Sequence, residues 1–362
     1  MPRTTGIRAL IRPLRQALRR RISRWITRCC GTPHPRTGPL PAPGRILVCQ
    51  SNSRLGNTLL LIPLLQGLAD RYPHARIDVV IKGCVHGSLL QSLPGIGHVH
   101  ELPARGAAPR AMLKLIRELR RLHYDLAVEA NSLSTTNRIL LAGCGASHRL
   151  GFAGPDQCLR LTHAVALPSV ASHSALQLLH LLTALPGRAP ASQPTLAVYP
   201  DAPTRARAET RLRRALGSIP ANRPVIGFFT RATGNKQLPN AWWQQWRAAL
   251  HAGGDPPLLI EIVPPGGLPV HADQAAVSTT DLMELAALLA RLDVFVSADC
   301  GPMHLAAAAG IPVVGLFRAT PASRFAPLGN DCISLDEPLH PVVVARETVW
   351  RYDRRRDTRR SA

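Results

Sequence analysis

Acidic residues are scarce. The 362-residue chain carries 22 Asp and Glu against 44 Lys and Arg, a formal charge of +22, and no acid precedes Asp70. An imbalance of that size implies an anionic partner surface, such as lipid headgroups, nucleic acid or a phosphorylated glycan. Aromatic residues make up only 4% of the chain, and none interleave the basic runs in the manner of a nucleic-acid stacking platform. The eight cysteines (Cys29, Cys30, Cys49, Cys84, Cys144, Cys158, Cys300 and Cys332) include no Cys-x-x-Cys pair and have no His partner at zinc spacing, which excludes a structural zinc site and reads as reduced thiols of a cytosolic protein. The loop after the first strand lacks the G-x-G-x-x-G spacing that a dinucleotide needs, so a dehydrogenase is the weaker reading. Residues 7–26 contain no uninterrupted apolar run of the kind a signal peptide or a membrane span requires.

What is present points to a two-domain chain with a basic N-terminal segment. A chain of this length exceeds what one core usually supports, so two domains of about 150 residues are expected. Ile7, Leu10, Ile11, Leu14, Leu18, Ile22, Trp25 and Ile26 recur at three and four, one stripe of a helix, with arginines over most of the remainder. Pro13 starts or kinks such a helix. Three readings of this segment stand: a helix lying on an anionic membrane surface, a solvated or domain-packing basic segment, and a targeting peptide. The Pro- and Gly-rich stretch 31–44 reads as a linker.

From there strands alternate with helices. Strands are expected at 45–49, 76–81, 98–102 and 126–129, with a polar loop at 50–57, an apolar helical segment at 58–69, and helices at 87–93 and 112–122. A Pro- and Ala-rich connection at 185–193 precedes a second series: strands 225–229, 258–263, 294–297 and 313–317, with helices 241–252, 281–292 and 303–309. This rhythm predicts α/β architecture with two doubly wound parallel sheets in series and a cleft between them. The expected organisation is a basic tail and linker at 1–43, domains at 44–190 and 191–335, and a basic tail at 336–362, solvated after Trp350.

The segment Val294 to Phe317 runs strand, loop, helix, strand, and its loop holds Asp299-Cys300-Gly301-Pro302-Met303-His304. A loop at the carboxyl end of a parallel strand is where such sheets bind ligands. Gly301 allows close backbone approach, Pro302 can begin a helix, and the free amides there suit a diphosphate, with His304 as a further donor. The plainer alternative is that Asp299 caps the helix and His304 packs.

This segment resembles the donor-binding motif of glycosyltransferase family 9, the ADP-heptose:lipopolysaccharide heptosyltransferases, whose pattern reads D-S/T-G-P-M-H-L-A-A-A-x-G-x-P-x-V-x-L-F. Arg45-Ile-Leu-Val with Leu55-Gly56-Asn57-Thr58, Arg71 to Asp78, Tyr124-Asp125-Leu126, Arg149-Leu-Gly151-Phe152 and Asn235-Lys236 to Trp242 are similar to further stations, in the same order. The resemblance spans about residues 45 to 330 and implies a GT-B fold, with acceptor on the N-terminal domain and sugar nucleotide on the C-terminal one. It implies inverting, metal-independent transfer of a heptose or related sugar from an ADP-sugar, with no cofactor, to a lipopolysaccharide-core or related surface-glycan acceptor. Lys236 matches the lysine that contacts the donor diphosphate, with Thr230, Arg231 and Thr233 in the loop before it. Ser53, Arg54, Gly56 and Asn57 fall on the acceptor side. The implied location is cytoplasmic, peripheral on the inner face of the inner membrane.

Two departures stand out. Many members have Gly-Asp in the first loop, with the Asp as general base, whereas this chain has Gly56-Asn57, and an amide accepts no proton at neutral pH. Asn57 is left to position the acceptor while Glu129 or a histidine near the cleft acts as base; the acceptor alternatively loses its proton without a dedicated base, or the chain is a silent homologue that binds glycan or nucleotide sugar as an assembly partner. At Glu261 to Gly267 the acidic residue that holds a ribose is not evident, and Glu261 is the candidate.

Overall fold

The computed structural model describes residues 40–83, 87–102, 109–131, 134–153, 161–168, 173–186, 195–217, 223–252, 256–271 and 273–361, with side chains to 355. The helix expected in the basic N-terminal segment, most of the linker, most of the 185–193 connection, and Cys29, Cys30, Cys84 and Cys158 lie outside them. Cys49, Cys144, Cys300 and Cys332 are free thiols.

The N-terminal half comprises β1 (Arg45–Gln50), α1 (Leu55–Leu59), α2 (Ile62–Arg71), β2 (Arg76–Lys82), α3 (Gly87–Gln91), β3 (Ile96–Leu102), α4 (Pro109–Arg121), β4 (Leu126–Glu129), α5 (Thr135–Gly143), β5 (His148–Phe152), β6 (His163–Val165), α6 (Ser174–Leu179) and a 3-10 turn (His180–Ala184). The C-terminal half follows with α7 (Ala202–Leu216), β7 (Val225–Phe229), a 3-10 turn (Gly234–Lys236), α8 (Asn240–His251), β8 (Leu258–Ile262), β9 (Ala276–Val277), α9 (Leu282–Leu289), β10 (Val294–Ala298), α10 (Gly301–Ala308), β11 (Val313–Phe317), α11 (Ala322–Phe325), β12 (Ile333–Asp336) and α12 (Pro341–Ser361). Each half holds a six-stranded sheet, ordered β3-β2-β1-β4-β5-β6 and β12-β11-β10-β7-β8-β9. Every strand pair is parallel. This is the paired Rossmann-like arrangement of the GT-B fold.

The central strands read as unbroken apolar runs because helices cover both faces. Ile46, Leu47, Val48 and Cys49 of β1 are wholly buried, as are Val294, Phe295 and Val296 of β10. Order reverses between β1 and β4 in one sheet and between β7 and β10 in the other, and each reversal opens a crevice at the carboxyl ends of those strands. The same device sets register at the amino ends of both of these strand pairs. Asp125, before β4, accepts the Gly44 and Arg45 amides at 2.8 and 2.9 Å and donates its own amide to the Arg45 carbonyl. Asp293, before β10, accepts the Val225 amide at 2.9 Å and donates its own amide to the Val225 carbonyl. Tyr124 donates to Asp78 at 2.8 Å in the core, and Asp78 also accepts the His98 amide at 2.8 Å, so these stations tie β2, β3 and β4 together.

The single helix expected at 58–69 is two, because Pro63 near the N-terminus of α2 supplies no amide to continue α1. The solvated tail expected after Trp350 is instead a continuation of α12. Its inner residues Val344, Ala345 and Thr348 are buried, and Arg351 and Arg354 lie 3.9 and 3.5 Å from Asp331.

Candidate active site

The carboxyl end of β10 carries the centre of the site. The Asp299 amide donates to the Leu316 carbonyl at 3.2 Å, which fixes the residue at the sheet edge before the chain turns into α10. Lys236, in the turn after β7, donates to Asp299 Oδ2 at 2.5 Å, and Thr320, in the loop after β11, donates to the same oxygen at 2.6 Å. His304 Nε2 lies 3.8 Å from Oδ1. The strands flanking β10 thus deliver their following loops onto one carboxylate. Burial works to raise the Asp299 pKa, but the His304 ring, Lys236 and Thr320 outweigh it and hold the carboxyl at about 2. At neutral pH the Asp299 anion therefore fixes a lysine ammonium beside the start of α10.

Asp299 is not the helix cap. The cap position falls on Cys300, whose side chain makes no capping bond; its thiol contacts Ser297 Oγ at 3.0 Å, and burial pushes it up to about 11. The first turn of α10 consequently keeps amides uncapped by side chains, with Pro302 among its first residues, an arrangement suited to an anion. Gly301 and Pro302 sit at that turn, half-buried. Met303 does not join the site as expected: its side chain is fully buried, with its sulfur 3.0 Å from where a Cβ on Gly315 would lie. Only its backbone remains available to a ligand.

Thr230 and Glu261 form a buried pair beneath the site. Thr230 donates to Glu261 Oε1 at 2.7 Å, and the Val270 amide donates to Oε2 at 2.8 Å. Glu261 is fully buried, so both of its oxygens bind the chain's own donors and tether the 264–270 loop. Arg231 is exposed and donates to the Leu268 carbonyl at 2.9 Å, reinforcing that loop. Thr233 sits at the start of the turn that carries Lys236 and is exposed.

On the opposite wall, Ser53 and Arg54 are exposed, and Gly56 and Asn57 are half-buried in α1. The β1–β4 crevice is polar. Ser51 donates its amide to Asn137 at 2.9 Å and shares a 2.7 Å hydroxyl contact with Ser134, the cap of α5. Gln50 Oε1 and Asn137 Nδ2 are buried with no hydrogen-bond partner among the described residues. Sequence reasoning missed this serine–asparagine cluster because Ser51 lies more than 80 residues from Ser134 and Asn137 and the three match no motif.

Glu129 is not brought to the cleft. It is fully buried and receives the Arg138 guanidinium through both carboxylate oxygens at 3.2 Å. Burial raises its pKa and Arg138 opposes that rise. Two histidines do lie where the halves meet, both buried. His304 packs against Gly56, and His173 Nε2 donates to the Ala326 carbonyl at 2.9 Å while its Nδ1 caps α6 through the Ala175 amide. Among the described residues no cluster of three or more His, Cys, Asp or Glu is placed to hold a metal ion, and no helix is long and apolar enough to cross a membrane.

Residues 271–346 match the family model described as glycosyltransferase family 9 (heptosyltransferase). A sequence search of curated proteins finds no match. Among the solved structures that share the fold are three with TM-scores of 0.66 to 0.70. A glycosyl transferase family 9 protein from Veillonella parvula is 19% identical with a TM-score of 0.70, over 81% of this chain and 86% of its own. The E. coli ADP-heptose lps heptosyltransferase II is 20% identical with a TM-score of 0.67, over 86% and 99%. E. coli heptosyltransferase WaaC with ADP is 17% identical with a TM-score of 0.66, over 85% and 99%.

Proposed function

We propose that this chain is a heptosyltransferase-like glycosyltransferase that moves a heptose or related sugar from an ADP-sugar to a lipopolysaccharide-core or related surface-glycan acceptor. The observation that carries the reading is the Lys236–Asp299–Thr320 cluster beside the uncapped start of α10, at the crevice of the C-terminal sheet. In this reading residues 191–335 take the donor and residues 44–190 the acceptor. An acceptor hydroxyl oxygen attacks the anomeric carbon and gives up its proton to water, the bond from that carbon to the diphosphate breaks with inversion, and the growing charge on ADP is received by Lys236 and the first-turn amides of α10. No metal step is needed, since a fixed ammonium and helix amides supply the positive field. Asn57 positions the acceptor hydroxyl by hydrogen bonding, and Ser51, Ser134 and Asn137 extend that polar wall. The protein works at the inner face of the inner membrane, where an amphipathic anionic acceptor is made, and its basic N-terminal segment assists.

Calorimetric titration with ADP, UDP, GDP and dTDP tests the donor site. ADP is expected to bind most tightly and Lys236→Ala to weaken it; absence of binding by every nucleotide overturns the assignment. Asn57 in place of a carboxylate favours one second reading, a non-catalytic homologue, for which ADP-sugar would bind without turnover on any extracted core acceptor.

A further inference from the structure

We propose that the outward face of α12 is a docking surface for an anionic lipid bilayer. The inner face of this helix packs on α8 and the sheet through Val344, Ala345 and Thr348. Its outer face ought then to be polar, yet Val342, Val343, Val349 and Trp350 are 56, 41, 41 and 46% exposed. At 100° per residue these positions share one sector of the helix with Arg346 and Arg354, and with two acids, Asp353 and Asp357. Arg351 and Arg354 hold their guanidinium carbons 4.3 and 4.9 Å from the Trp350 ring centroid. The helix runs on to Ser361 through a sequence in which Arg355, Arg356, Arg359 and Arg360 outnumber the one acid, Asp357.

Valines and an indole set among arginines match the boundary of a bilayer. There the valines reach the acyl chains, the indole sits at headgroup depth and the exposed guanidinium groups of Arg346 and Arg354 meet lipid phosphates. Other occupants fit less well. A second copy of this chain would bring arginine face against arginine face, in a molecule already carrying +22. A nucleic acid offers phosphates but no apolar phase for three valines. The surface is separate from the N-terminal segment and independent of the glycosyl-transfer reading.

The full chain is mixed with phosphatidylcholine vesicles, with and without phosphatidylglycerol, whose acyl chains are brominated near the headgroup. Tryptophan quenching is compared between wild type and Trp350→Phe, which keeps an aromatic ring in place. Quenching is expected on the anionic vesicles, with a clear part of it missing in Trp350→Phe. The variant Val349→Ser/Trp350→Ser is expected to lower vesicle binding about tenfold, with ADP binding retained. Quenching that is equal in wild type and Trp350→Phe overturns the proposal, as does retention on heparin without any vesicle binding.

Discussion

Gly56 of the N-terminal half lies directly against the imidazole of His304 from the C-terminal half: a Cβ at position 56 would stand 2.9 Å from His304 Cδ2. The contact is reciprocated one residue away, where a Cβ on Gly301 would stand 2.9 Å from Cβ of Leu55. Two glycines therefore let α1 and the start of α10 approach across the cleft. His304 is 2% exposed and has little room to yield. Gly56→Ala is expected to push the walls apart at an overpacking cost of about 1–3 kcal/mol. Activity should fall at least tenfold, with a smaller change in thermal stability. Wild-type kcat/KM on an extracted acceptor in the Gly56→Ala variant would contradict this geometry.

Asp299 is expected to matter through the lysine it holds. Its pKa is lowered from 3.8 to about 2, so the stabilisation from its ion pair is complete above about pH 4 and is lost only as pH falls through about 2. Asp299→Asn should therefore lower kcat/KM by about 100-fold or more evenly across the neutral range. A pH–rate profile that changes shape near neutrality in this variant would place the titrating group at Asp299 after all.

These two sites differ in how far the sequence announces them. The Asp299–His304 run is legible because its chemistry is contiguous. Lys236 comes from another loop 63 residues away, and Thr320 belongs to no pattern, so their convergence on one carboxylate follows from strand order. Strands such as β1 and β10 are evident because burial on both faces makes them continuous apolar runs. By contrast α7 escapes notice, because its buried stripe is only Thr204, Ala208 and Leu212 in an arginine-rich helix, and β9 has just two residues. Met303 illustrates the converse limit. A motif names residues without saying which side chains face the ligand, and this one faces the core.

The Glu129–Arg138 pair is a buried structural element of the N-terminal half. Removing one partner strands the other as a buried charge, at a cost of about 3–5 kcal/mol. Arg138→Met should lower Tm sharply. Glu129→Met/Arg138→Met should recover much of the loss, because an apolar pair of similar volume removes both charges. If the double variant is less stable than either single variant, the pair is contributing net stability beyond mutual neutralisation.

His173 links the halves and titrates. Burial lowers its pKa below 6.5, with the neighbouring His304 adding to the effect, and its Nδ1 must stay unprotonated to accept the Ala175 amide. The unfolded chain takes up this proton first as pH falls, so stability declines from about pH 6.5 down through the lower folded-state value. His173→Asn retains a capping acceptor and loses both the titration and the bond to Ala326. Its Tm should depend less steeply on pH between about 7 and 5 than the wild type's, with His100, also lowered by burial, left to supply the remaining slope. An unchanged slope would mean that His173 is already charged in the fold.

Asn57 supplies the most direct test of how the acceptor is activated. The side chain is half-buried in α1, next to the Gly56–His304 contact and across the cleft from Lys236 in the proposed catalytic arrangement. As an amide it can orient a hydroxyl without removing its proton. Asn57→Asp keeps the side chain's size and adds a carboxylate able to take that proton, a change commonly worth about 100-fold or more where geometry allows. The variant is expected to turn over faster at neutral pH and to gain an acid limb in its kcat/KM profile as the new carboxylate protonates. Loss of activity on this substitution would instead mean that a donor hydrogen bond from the Asn57 amide is required, and that the proton leaves by another route.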